Sequence, residues 1–305
     1  MNLFFSEKYK IKECFERMFN KFDADLELAD STRKKYREIS VRIIEEIGDI
    51  DIRKIDLSVV SKFKKGLNEK GLSPARKNHF IVVLRLLLKF AKEIEKIDVS
   101  NYEQIKKYKE INKLVEVLTD EEVKILLDSI DEDNFSKLRL KTLIICLLST
   151  GARISEMLSL NISDVDFESG LASTKGKGGK INQIIFNSLS LEYLKKYFGV
   201  RIDDHPALFV TSKSTRWRIN CAERAIRNQG HKAGLEKRVY PHLMRKTAAS
   251  KMFFAGAPLP IVAKFLSHSD LSTCQKYYLR GASFEEVKQY HKDIMDFNNL
   301  VSSKE

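Results

Sequence analysis

The chain has 305 residues, 43% hydrophobic and 31% charged, the balance of a folded soluble protein with room for two domains, which excludes a disordered chain. Its formal charge of +12 divides evenly, with 26 Lys and Arg against 20 Asp and Glu up to Glu116 and 28 against 22 beyond it. Both halves therefore suit a polyanionic partner, although basic charge alone does not separate an enzyme acting on nucleic acid from a housekeeping binder.

The apolar runs Ile81–Leu88 and Leu143–Leu148 are too short to cross a bilayer, and MNLFFSEKYK lacks the basic start and apolar core of a signal peptide, so no membrane partner is expected. Cys14, Cys146, Cys221 and Cys274 form no Cys-x-x-Cys pair and have no His at zinc spacing. Neither a metal site nor a disulfide framework is indicated, and the isolated thiols fit a reducing cytoplasm.

In chain order, Tyr36, Ile39, Ile43, Ile44 and Ile47 recur at helical steps and stop near Gly48. Ser73-Pro74 reads as a helix start, Ser as cap and Pro at the first position, opening the run Phe80, Val83, Leu84, Leu87, Leu88, Ala91. Residues 1–98 are therefore expected to form a small helical domain. The polar, Lys-rich stretch 99–117 reads as an exposed linker. Thr119-Asp-Glu-Glu122 is a capping box in front of a helix at Val123–Ile130, opening a second domain over 118–305.

Within that domain VDF, LAST and INQIIF, between Val165 and Phe186, predict three short strands of a small antiparallel sheet. Helices are predicted at Leu189–Tyr197, Ala222–Ala233, Leu243–Ala255, Ile261–Leu266 and Phe284–Phe297, the last behind a second capping box from Ser283 to Glu286. The expected class is mainly α: a helical first domain and an α+β second domain carrying a three-stranded sheet.

The polar residues that suit work on a phosphate fall in this second domain. Arg153 and Glu156 lie one helical turn apart after Thr150-Gly151, so the carboxylate can buttress the guanidinium while its fork holds phosphate oxygens. Lys175, Lys177 and Lys180 sit in or beside KGKGGK between two predicted strands. A P-loop there would need Gly-Lys-Ser/Thr opening a helix, whereas Lys180 leads into a strand. His242 and Arg245 share one face at the start of a helix opened by Pro241, near the positive end of its dipole. His268 follows FLS, and Tyr277 with its neighbour Tyr278 follows in STCQKYYL.

Together STGARISEMLSLNISDVDF, KGKGGK, PHLMRKTAASKMFFAGAPLPIVAKFLSHSDLS and TCQKYYL resemble the tyrosine recombinase (phage integrase) family, closest in style to its Xer-type members. The resemblance covers the second domain almost continuously and the first only in style. It implies Arg153 and Arg245 as phosphate clamps, Lys177 as the general acid that protonates the leaving 5′ oxygen, His242 and His268 as proton-handling or hydrogen-bonding residues, and Tyr277 as nucleophile. Ala152, Lys246 and Ser267 depart from the family pattern, which most often has a larger apolar residue, His and Gly there.

The resemblance further implies a site-specific recombinase that works through a 3′-phosphotyrosyl intermediate and a Holliday junction, without cofactor, metal or ATP. Its expected partners are double-stranded DNA with an inverted-repeat core site and further copies of the chain in a tetramer, with or without a second recombinase or accessory protein. Two rival readings are a type IB topoisomerase-like nicking enzyme and a catalytically silent DNA-binding or accessory protein.

Overall fold

The computed structural model describes residues 9–25, 30–110, 116–175 and 181–266. The chain divides into two compact units, Met1–Asn112 and Lys113–Glu305, each with its own hydrophobic core.

The first unit is built on helices α1 (Ile11–Ala24), α2 (Asp30–Ile47), α3 (Leu57–Glu69) and α4 (Pro74–Glu93). Helix α1, which the sequence reading does not contain, buries Ile11, Cys14, Phe15, Met18 and Phe19, the stripe expected of one helical face. Helix α2 ends where Gly48 takes a left-handed φ of +85°. Asp56 caps α3 by accepting from Val59 N–H at 2.8 Å, and Ser73 accepts from Arg76 N–H with Pro74 in the first turn of α4. The long α4 forms the centre of this core, with Leu84, Leu87 and Leu88 fully buried. Each contributes roughly 2 kcal/mol of transfer free energy.

Residues 99–110 differ from the exposed linker expected there. Val99 and Ile105 are buried in the first core, and the buried Asn78 holds the chain beyond them. Its Oδ1 accepts from Tyr108 N–H at 2.7 Å while its Nδ2 donates to Tyr108 O at 3.0 Å. The lysines of NYEQIKKYKE mask the apolar residues interleaved with them, and these pack inward while the charged heads stay in water.

The second unit opens with the capping box: Thr119 Oγ1 accepts from Glu122 N–H, and Glu122 Oε2 accepts from Thr119 N–H. Helix α5 (Asp120–Asp128) follows, then α6 (Phe135–Thr150), α7 (Ile154–Ser159), strands β1 (Val165–Asp166), β2 (Leu171–Lys175) and β3 (Ile181–Ile185), and helices α8 (Ser188–Gly199), α9 (Ile219–Lys232), α10 (Pro241–Phe254) and α11 (Leu259–Phe265). The strands pair antiparallel in the order β1-β2-β3 with Leu171 opposite Ile185. Helix α6 is apolar nearly all round and is the buried axis of the unit, packed against α8 and α10. The class is the one expected, mainly α with a small three-stranded sheet in the second unit. The tail helix read at 284–297 and its capping box lie outside the described residues. No helix among the described residues is long and apolar enough to cross a membrane.

Candidate active site

Helix α6 stops at Gly151, whose φ of +59° is left-handed. A Cβ there would stand 2.7 Å from the Phe265 ring, so both the turn and the close approach of α11 call for glycine. The turn does two things for the site. It releases the chain into α7 with Arg153 at its N-cap, and it turns the Gly151 carbonyl toward Arg245.

Arg153 is fixed by Glu156, which is buried. Glu156 Oε2 accepts the Arg153 backbone N–H at 2.9 Å, and Oε1 accepts from Arg153 Nη1 at 2.8 Å. The guanidinium side chain is still 45% exposed, leaving donors turned to solvent and to an incoming anion. The carboxylate buttress expected from the spacing is therefore present.

Helix α10 supplies the opposite wall. Pro241 occupies its first turn, where a missing N–H costs nothing. Arg245, one turn further in, is 3% exposed. Its Nη1 donates to Gly151 O at 2.6 Å and its Nη2 to Leu266 O, joining the end of α6 to the end of α11. A guanidinium taken this far out of water attracts an anion more strongly than one in solvent. His242 stands on the same face and is exposed to solvent at the mouth. Its imidazole is held below its ordinary range, first by partial desolvation and then by the cations Lys246, Arg245 and Arg153. The neutral ring can hydrogen-bond a phosphate or take up a proton, and an arriving anion would raise its basicity again.

Arg153, His242 and Arg245 line one cleft of about 700 Å³ together with Arg227, Arg238, Asn220, Glu223 and Tyr240. Among the described residues its lining has four arginines against a single carboxylate, a balance that favours an anion. Arg227 and Arg238 are absent from the sequence-derived site. Arg227 belongs to the exposed face of α9 and Arg238 precedes α10, and no local spacing connects either to Arg153. Lys177, His268 and Tyr277 lie outside the described residues. Among the described residues no cluster of His, Cys, Asp and Glu could hold a metal ion.

The family model described as Phage integrase family matches residues 116–282, a span that contains all six of the residues singled out in the sequence. The chain belongs to this family. It is 34% identical over 226 residues to the tyrosine recombinase XerA of Pyrococcus furiosus, covering 71% of this chain and 73% of that protein. It is 27% identical over 296 residues to the tyrosine recombinase XerD of Oceanobacillus iheyensis, covering 92% and 99%. Its fold is similar to that of the Tn1549 transposon integrase solved in complex with a circular intermediate DNA, with a TM-score of 0.76 at 19% identity over 94% of this chain and 99% of that one.

Proposed function

We propose that this chain is a site-specific DNA recombinase whose scissile phosphate binds in the cleft between α7 and α10. The observation that carries the reading is that Arg153, His242 and Arg245, from segments some 90 residues apart, share one arginine-lined cleft. In this reading Arg153 and Arg245 clamp the non-bridging oxygens. Tyr277 attacks phosphorus, its proton passing to a base or water, and the P–O5′ bond breaks as Lys177 gives a proton to the leaving oxygen. The products are a 3′-phosphotyrosyl ester and a free 5′ hydroxyl.

A phenol of ordinary pKa about 10 is a poor nucleophile at neutral pH, so the two guanidiniums supply what the reaction needs, charge placed where it develops in the transition state. His242 and His268 hydrogen-bond the phosphate and move protons. The ester conserves the energy of the broken bond, so a 5′ hydroxyl from a partner strand reverses the step at little cost, and neither ATP nor a metal is consumed. Two rounds through a Holliday junction within a tetramer on an inverted-repeat core site complete the exchange. Relatives named tyrosine recombinases, one matching 92% of the chain, favour this reading over a nicking enzyme or a silent binder.

The test is covalent trapping on nicked DNA fragments taken from around the chain's own gene. Wild type is expected to give SDS-resistant adducts. Tyr277→Phe should give none while binding DNA as before, and Tyr278→Phe should still give them. Loss on Tyr278→Phe alone would move the nucleophile to that residue.

A further inference from the structure

We infer that Asn182 is a positioning residue for Arg153, acting through Glu156 from the neighbouring β-hairpin. The inference rests on the reading of Arg153 as a phosphate clamp and names a group that sets its geometry. Along β3 the side chains alternate, with Ile184 buried and Gln183 and Ile185 exposed, so Asn182 falls on the inward face at a place where an apolar residue would ordinarily sit. Its partner there is Glu156: Asn182 Nδ2 donates to Oε1 at 3.2 Å. A carboxylate only accepts, so the amide nitrogen is the atom that must face it.

Oε1 is also the oxygen that receives Arg153 Nη1, and Oε2 receives the Arg153 backbone N–H. Among the described residues the buried Glu156 is thus held at three points, and there only Asn182 comes from outside α7 and its cap. Without that bond the carboxylate can rotate about its last torsion and still keep one arginine contact, which lets the exposed guanidinium swing. With it, the plane of the carboxylate, and so the direction of the guanidinium fork, is set by the sheet. The polar residue on the inward face is explained by this role, whereas packing alone would be served better by Val or Leu.

The experiment measures single-turnover cleavage at saturating DNA, on the nicked duplex identified by adduct trapping, for Asn182→Asp, Asn182→His, Arg153→Ala and the Asn182→Asp/Arg153→Ala pair. Asp keeps the volume of Asn but cannot donate when ionised, and His places an Nδ1–H at about the same reach. Asn182→Asp is expected to cleave about tenfold slower with unchanged DNA affinity, Asn182→His to recover most of that loss, and the double variant to be no slower than Arg153→Ala alone. Losses that add, or an unchanged rate in Asn182→Asp while Arg153→Ala is slow, would overturn the inference and leave the clamp standing. A near-normal rate in Arg153→Ala would overturn the clamp and this inference with it. Melting curves of all variants show whether the fold survives; if Asn182→Asp does not fold, the Asn182→Ala rate and its additivity with Arg153→Ala decide in the same way.

Discussion

The two units of the chain treat charge differently. In the first, the buried polar side chains among the described residues are Ser40 and Asn78, both neutral, and Arg17, Arg33, Arg37 and Arg53 pair with carboxylates at the surface or half-buried. The second buries Arg139, Glu156 and Arg245. Arg139 has a structural setting: it stacks 4.1 Å over the Trp217 ring and donates to Val210 O. Arg245 lines the cleft, and Glu156 holds Arg153, which lines it too. Burying a charge costs several kcal/mol unless partners recover it, so the first unit follows the rules of packing, while the second gives up stability to keep a guanidinium buried at the cleft.

Core and site substitutions should separate along that line. Leu84→Ala in the first unit removes a fully buried side chain from α4 and should cost about 3 kcal/mol in denaturant unfolding. The cleavage rate per folded molecule should not change. Gly151→Ala should cost about 2 kcal/mol through its left-handed φ and its clash with Phe265, and here cleavage should fall as well, because the Gly151 carbonyl positions Arg245. If Gly151→Ala is destabilised yet cleaves normally, the turn belongs to the fold alone.

Arg238 sharpens the comparison on the binding side. In Arg238→Gln, DNA affinity should weaken modestly at low salt, and the slope of log affinity against log salt should fall by about 1, the release of one phosphate's counterion. An unchanged slope would mean that the wall of the cleft carrying Arg238 does not meet the DNA backbone.

The smallest effect expected is a pH dependence. The folded-state pKa of His242 lies below its unfolded value, so its neutral form contributes stability that is complete above the unfolded pKa of about 6.5 and is lost as pH falls toward the folded pKa. Unfolding midpoints between pH 7.5 and 5 should therefore fall more for wild type than for His242→Gln. Equal curves would show that neither desolvation nor the cations around the ring act on it.

Much of this was legible along the chain because the signals were local. Ser73-Pro74, the Thr119–Glu122 box, the short strand segments VDF, LAST and INQIIF and the Arg153–Glu156 spacing are each local, and each has the structure expected of it. What escaped was tertiary. Helix α1 starts without a side-chain cap, so no start signal marks it. Val99 and Ile105 stand among polar and charged residues and declare themselves only against the face of a folded core. Arg227 and Arg238 join the cleft from α9 and the segment before α10, and Asn182 reaches Glu156 across 26 residues. Such meetings follow from the packing around α6 and leave no periodicity to read.

The most direct test of the central claim, that the buried guanidinium of α10 serves the scissile phosphate, is the single-turnover rate of adduct formation by Arg245→Ala at saturating DNA. The account predicts a rate at least about 100-fold below wild type, the usual loss on removing a preorganised charge from a transition state, with DNA still bound. A well-folded Arg245→Ala that forms adducts within a few-fold of wild type would contradict it.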